Sequence, residues 1–133
     1  MTANVVDSSA WLEYFADGPS ASAFARAIQA TDSLIVPSLS IYEVFKRVLA
    51  QRGEDEALTA VAHMEQGRVV DLDRATALSA ARLSIEHRLP MADSIMLATA
   101  LDHGATLWTQ DADFQPIAGV RYIAKQVRLR PES

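Results

Sequence analysis

The sequence predicts an α/β fold in which helices cover both faces of a mostly parallel sheet. Short apolar runs alternate with longer helical patterns along the chain, an order typical of parallel strands joined by crossover helices. The length of 133 residues, with 50% apolar and 22% charged residues, suits a globular protein with a substantial core. We expect one domain spanning residues 1–133.

The first half of the chain is predicted to hold two strands and four helices. The strands cover residues 4–6 and 34–36, and the helices cover residues 8–15, 20–30, 37–52 and 54–66. On the third helix an apolar stripe should face inward and leave Glu43 near the edge of the sheet. The stripe consists of Ile41, Val44, Phe45, Val48 and Leu49.

The second half is organised around a helix over residues 90–103 and the strand that follows it over residues 106–109. This helix is apolar nearly all round, so it should be buried. A brief strand at 69–70 and a helix over 73–88 precede it, and an edge strand over 120–123 and a basic tail over 125–130 follow. In the helix over 73–88 the side chains expected to face inward are Ala77, Leu78, Ala81 and Ile85.

The composition limits which cellular compartment and which kinds of binding partner we expect for this protein. The chain has no cysteine, which excludes disulfides and thiolate metal sites, and no apolar run approaches the roughly 18 residues of a membrane span. We therefore expect a cytoplasmic protein that does not enter a membrane. The net charge of −5 argues against nucleic-acid binding driven by basic residues, but not against a nuclease whose acidic pocket binds cations.

Four acidic residues are predicted to meet at one edge of the sheet. Asp7 and Asp111 directly follow strands, whereas Glu43 and Asp93 lie in the first turns of helices that leave strands. The helix that begins near Asp93 rises by roughly 15 Å, and the next strand returns by about the same length. Asp93 and Asp111 should therefore lie together at the carboxyl edge, where ligand crevices of open α/β sheets occur.

Carboxylates crowded in this way repel one another unless cations bind between them. Oxygen ligands suit Mg²⁺ or Mn²⁺ rather than zinc, and two such ions about 4 Å apart can clamp a phosphodiester for hydrolysis. Each acid also has a structural explanation. Asp7 can cap a helix, Asp93 can complement a helix dipole, and Glu43 can be solvated. Asp111 and Asp113 can be turn residues. The joint position of the acids favours a metal site.

Four short motifs occur in order along almost the whole chain. They are VVDSS at residues 5–9, SIYEV at 40–44, LPMADSIMLA at 89–98 and TQDADF at 109–114. Together these motifs resemble those of PIN-domain nucleases. The resemblance is greatest to the VapC-like ribonucleases, the small toxins of bacterial toxin–antitoxin pairs.

The resemblance implies a PIN-like α/β/α sandwich of about five strands. It also implies an endoribonuclease that depends on Mg²⁺, or on Mn²⁺ in its place, forms a homodimer and is inhibited by a cognate antitoxin. The residues that match the family's catalytic, metal-binding acids are Asp7, Glu43, Asp93 and Asp111. Ser8 and Thr109 match supporting positions, and we assign a supporting role to Asp113 as well.

Two other functions fit parts of the sequence. A phospho-acceptor receiver domain of a signalling system also has an acidic Mg²⁺ pocket. Its usual pattern has an acidic pair after the first strand and a lysine after the last, whereas here Asp7 is followed by two serines and no lysine lies near Thr109. A catalytically inactive PIN-like binding module would have the same fold without the activity.

Overall fold

The protein, described here over residues 2–127 of a computed structural model, alternates strands and helices from its first strand to its last. The strands are β1 (Asn4–Val6), β2 (Leu34–Pro37), β3 (Arg68–Val70), β4 (Thr106–Thr109) and β5 (Val120–Tyr122). The helices are α1 (Ser8–Phe15), α2 (Ala21–Gln29), α3 (Ser38–Arg52), α4 (Glu54–Met64), α5 (Arg74–His87) and α6 (Met91–Asp102). Short 3-10 turns at Thr31–Ser33 and Ala112–Phe114 were not predicted. The predicted basic tail lies partly outside the described residues.

The five strands form one parallel sheet in the order β3-β2-β1-β4-β5. This result confirms the predicted α/β class. The chain builds the sheet outward from β1 in one direction and then returns to add β4 on the other side of β1. The neighbouring carboxyl ends of β1 and β4 thus form a switch point, the place where crevices open in such sheets.

Helices cover both faces of the sheet, as predicted. Side chains alternate along β1, so Val6 packs in one core cluster with Trp11 and Phe24. Val5 packs in the opposite cluster with Leu97 of α6. The middle of α6, from Ser94 to Ala100, is largely buried, which agrees with its apolar sequence, whereas Leu101 near its end is exposed. No helix within residues 2–127 has the length and apolar character needed to cross a membrane.

The predicted inner face of α5 is wrong. Ala77, Leu78, Ala81 and Ile85 are all exposed, and Ile85 retains 84% of its accessible surface. The side chains that turn toward α6 and the core are Thr76, Ala80 and Leu83. The helix packs through its small residues, since Thr76 donates a 2.6 Å hydrogen bond to Asp102 of α6. Its more apolar face is therefore left on the surface.

One residue of the predicted stripe on α3 also departs from the prediction. Val44 and Val48 are buried and Ile41 and Phe45 pack against the same core, but Leu49 is exposed. The helix is covered by α4 and the sheet over only part of its circumference. The polar sides of α3 remain open toward the carboxyl edge of the sheet.

Candidate active site

The four acids predicted to meet line one pocket of about 480 Å³ at the carboxyl edge of the sheet. Asp7 follows β1, Asp111 follows β4 by two residues, and Asp93 lies in the first turn of α6. Glu43 projects into the same pocket from α3. The strand order explains this arrangement, because β1 and β4 are adjacent and the helices α3 and α6 both begin at this edge.

Asp7 is almost fully buried and is held by three hydrogen bonds. Ser9 Oγ and Thr109 Oγ1 each donate to one of its carboxylate oxygens at 2.6 Å, and the Ala10 amide donates at 3.1 Å. The hydrogen bond from the Ala10 amide is the helix cap that the sequence analysis considered for Asp7. Burial raises the pKa of Asp7 above its usual value, while these hydrogen bonds oppose the shift and favour the carboxylate.

Asp93 also carries an electrostatic penalty in the pocket. Burial raises its pKa to about 7, and the neighbouring charges of Asp111 and Asp7 add to the shift. The side chain is partly buried, so it has lost part of its hydration. Such a carboxylate has a strong tendency to take up either a proton or a metal ion.

Three carboxylates at this edge of the sheet, two of which line the pocket, lie close enough to share an ion. One oxygen each of Asp93, Asp111 and Asp113 lies within 4.8 Å of the other two. The 3-10 turn after β4 causes this approach, because Asp111 Oδ1 accepts the Asp113 amide at 2.9 Å and turns the chain back. The turn brings the exposed side chain of Asp113 to the other two acids.

The supporting residues form direct contacts with the acids. Ser8 Oγ donates to Glu43 Oε1 at 2.7 Å and so ties α1 to α3. Thr109 donates to Asp7 and accepts the Asp111 amide at 2.9 Å, which links two acids through one hydroxyl. Sequence reasoning missed Ser9, although its position two residues after Asp7 is one from which a hydroxyl can reach back to that carboxylate.

The wall of the pocket that α3 provides has a different character. Tyr42, Lys46 and Arg47 line it beside Glu43, and all three are exposed. The Lys46 ammonium lies 5.6 Å from the centre of the Tyr42 ring. Neither Lys46 nor Arg47 forms an ion pair with a carboxylate in the part of the chain described. The acidic pocket therefore has a basic and aromatic rim.

A second cavity of about 530 Å³ adjoins the acidic pocket. The two share Ser9, Leu12 and Arg47. Its floor is apolar where Leu12, Phe15 and Val48 meet, and its sides carry charged residues of α3 and α4. An extended segment bound here would reach the entrance of the acidic pocket.

Comparison with known proteins agrees with this architecture. The profile of the PIN domain family matches residues 5–120. No curated protein sequence matches the chain. Among solved structures, a toxin–antitoxin complex from Klebsiella pneumoniae matches with a TM-score of 0.79 and 21% identity, over 93% of this chain and 100% of that chain.

Two further structural neighbours have a similar fold. VapC20 of Mycobacterium tuberculosis, a toxin that cleaves the sarcin–ricin loop, matches with a TM-score of 0.73 and 17% identity, over 97% of this chain and 100% of that chain. DNA-bound VapBC from Salmonella typhimurium matches with a TM-score of 0.75 and 17% identity, over 93% and 98%. The matched family range includes β4, all of β1 except Asn4, and all four predicted acids. The chain belongs to the PIN domain family.

Proposed function

We propose that this protein is an endoribonuclease that hydrolyses RNA phosphodiester bonds with the help of Mg²⁺ and acts as the toxin of a toxin–antitoxin pair. The observation that carries the proposal is the group of acids at this edge: Asp93 and Asp111 line the pocket with buried Asp7, and an oxygen of Asp113 lies within 4.8 Å of one oxygen each of Asp93 and Asp111. Membership of the PIN family supports a nuclease. The choice of RNA follows the resemblance to VapC-like ribonucleases.

The donor set of the pocket fits a hard divalent cation. The converging ligands are carboxylate oxygens, and no histidine lies among the residues that line this pocket. Such a set suits Mg²⁺ or Mn²⁺. Asp93, Asp111 and Asp113, whose oxygens lie within 4.8 Å of one another, would hold the ion, and Asp7 and Glu43 line the pocket beside them. The raised pKa of Asp93 is the electrostatic cost that a bound cation would remove.

Different residues of the pocket would position the acids and contact the phosphate during hydrolysis. A divalent ion held by these acids would supply Lewis-acid chemistry, activating water and stabilising the leaving oxygen. Thr109 and Ser9 hold Asp7 as a hydrogen-bond acceptor, so its carboxylate is aligned before substrate arrives. Ser8 fixes Glu43 in the same way from the other side. Lys46 and Arg47 at the rim offset the repulsion between the acids and an incoming phosphate.

An antitoxin protein is the partner that we propose. Structural neighbours of the chain were solved as toxin–antitoxin complexes. The adjoining cavity offers an apolar floor at Leu12, Phe15 and Val48 together with the shared rim residue Arg47. An antitoxin segment held there would block access of RNA to the acids.

A homodimer is the assembly that we propose, through the exposed face of α5. Leu78, Ala81 and Ile85 recur at helical spacing and form an apolar stripe without a partner in residues 2–127. Met91 at the start of α6 extends the apolar surface. A second copy of the chain would bury this stripe against its own equivalent in a twofold interface.

The receiver alternative is wrong, because receiver domains have the strand order 2-1-3-4-5 and this sheet has the order 3-2-1-4-5. An inactive PIN-like module is the remaining alternative, and one experiment separates it from a nuclease. Purified protein is incubated with total RNA in Mg²⁺ and in EDTA, beside the variant Asp93→Asn. We expect cleavage by the wild type in Mg²⁺ alone. Intact RNA under all conditions would identify the inactive module.

A further inference from the structure

We propose that Tyr42 is a stacking platform for a base of the substrate, next to the phosphodiester that enters the acidic pocket. This inference rests on the proposed function, because it assigns a role to the rim of that same pocket. In this proposal residues of α3 bind the RNA strand, whereas the acids bind the metal.

The first observation is the exposure of Tyr42 at a functional edge. The side chain retains 60% of its accessible surface although it lines the pocket with Glu43, its neighbour in sequence. It does not belong to either of the two core clusters of the described residues. A large exposed ring beside a site for phosphodiesters is well placed to stack with a nucleobase, since every base has a π face.

The second observation is the pair of basic residues of α3 that line the same pocket as Tyr42. Lys46 lies one turn after Tyr42, and Arg47 follows it, about 7.5 Å from Tyr42 along the helix axis at 1.5 Å per residue. Neither side chain forms an ion pair with the nearby acids in residues 2–127. Proteins that bind single strands combine stacking rings with cations that contact the backbone, and these three residues supply both.

The third observation concerns the structural role that Tyr42 would otherwise have. Its only recorded ring contact within residues 2–127 is with Lys46, at 5.6 Å from the ring centre to the ammonium. A surface cation–π contact of this kind contributes little to stability. Packing of the fold therefore does not explain an aromatic residue at this position, whereas contact with a base does.

The test compares binding of two labelled strands in Mg²⁺, followed by fluorescence anisotropy. One is an oligoadenylate with a phosphorothioate backbone that resists hydrolysis, and the other is an abasic strand of the same length and backbone. The wild type should bind the strand with bases about tenfold more tightly than the abasic strand. Tyr42→Ala should lose this preference, and Tyr42→Phe should keep it because the ring remains.

Leu58→Ala provides a matched control. Leu58 is an apolar residue of α4 with a similar exposure of 53%, and it lines neither cavity. This variant should bind both strands as the wild type does. The inference is overturned if Tyr42→Ala keeps the preference for bases, or if the wild type has none. A change in the oligomeric state of Tyr42→Ala would also overturn it, by assigning Tyr42 to a protein interface.

Failure of the inference and failure of the proposed function have different signatures. If the wild type distinguishes the two strands through Tyr42 but cleaves no RNA in Mg²⁺, the role of Tyr42 in stacking stands and the proposed nuclease activity is wrong. If the wild type cleaves RNA and Tyr42→Ala cleaves it with the same KM, the proposed nuclease activity stands and the role of Tyr42 in stacking is wrong. If both proposals hold, Tyr42→Ala should raise KM about tenfold while kcat changes little.

Discussion

Asp93 is the residue whose ionisation should control the stability of the metal-free protein. Folding raises its pKa from 3.8 to about 7, so the folded chain binds a proton more tightly between these values. Its contribution to the free energy of unfolding is then greatest below about pH 4 and declines as the pH rises through about 7. Melting temperatures in EDTA should fall over this range. Asp93→Asn should weaken this dependence, of which the raised pKa of Asp7 leaves a part, and should stabilise the metal-free protein at neutral pH by about 1 kcal/mol.

Asp73→Asn is the control for that substitution. Asp73 caps α5 through the Thr76 amide at 2.8 Å, lies outside the pocket and is replaced by a residue that caps equally well. It should leave the response to Mg²⁺ unchanged, whereas Mg²⁺ should raise the melting temperature of the wild type more than that of Asp93→Asn. Equal Mg²⁺ shifts in all three proteins would contradict the metal site.

Asp111 should matter more for cleavage than Asp113. Asp111 lies between β4 and the 3-10 turn, where its own amide is bonded to Thr109 and its carboxylate holds the amide of Asp113. Asp113 is exposed and joins the group only from outside. Asp111→Asn should lower kcat/KM by more than a hundredfold, and Asp113→Asn by about tenfold. The reverse order in a single-turnover assay would show that the roles are exchanged.

At the residue scale, the sequence predicted where the acids lie but not all of their contacts. Residues that follow parallel strands must reach the same edge, and this rule placed Asp7 and Asp111 beside each other. The approach of Asp113 depends on a 3-10 turn that has no strong signature in sequence. The contact of Ser9 with Asp7 depends on a rotamer that is chosen by the folded surroundings.

Helix α5 is the element for which sequence reasoning failed, and the failure leads to a prediction. The more apolar stripe was assigned inward, but contacts through Thr76 and Ala80 allow α5 to lie close to α6 and leave Leu78 and Ile85 outside. Periodicity identifies the two faces of a helix without saying which partner covers each one. An apolar helix face that packs against another subunit has the same periodicity as one that packs against the core.

Ile85→Glu should therefore dissociate a homodimer without unfolding the chain. The side chain is 84% exposed in the single chain, so a charge there costs little in the monomer but must be buried in the proposed interface. We expect the dimer Kd to rise on the order of a hundredfold in analytical ultracentrifugation. Leu58→Glu on exposed α4 should have no such effect. A wild-type protein that sediments as a monomer would refute the interface.

The charge of the whole molecule bears on how it binds RNA. The net charge is −5, and the cations that line the acidic pocket are Lys46 and Arg47. With about two phosphate contacts to a single strand, log Kd should change with log salt by a slope of only about 1.4 in magnitude at constant Mg²⁺. Replacing both Lys46 and Arg47 by Gln should reduce the slope of log Kd against log salt further. A slope several times steeper would show that another basic surface binds the RNA.

The fold was predictable at the scale of the whole molecule because local and global signals agree. Strands such as Leu34–Pro37 are apolar and short, the helices between them are long enough for crossovers, and the parallel order follows from that alternation. The rim of the pocket was not predictable. Lys46 and Arg47 are ordinary exposed cations in the sequence of α3, and their place beside the acids depends on how that helix lies against the sheet.

The most direct test of the central claim measures metal binding and RNA cleavage in the same samples. Mg²⁺ is titrated into metal-free wild type and Asp93→Asn, binding is followed by calorimetry, and the cleavage rate of a labelled RNA is recorded at each concentration. The wild-type rate should rise in parallel with occupancy of the pocket, and Asp93→Asn should lose both together. Cleavage in EDTA, or cleavage by Asp93→Asn at the wild-type rate, would contradict the assignment of the acidic pocket as the catalytic metal site.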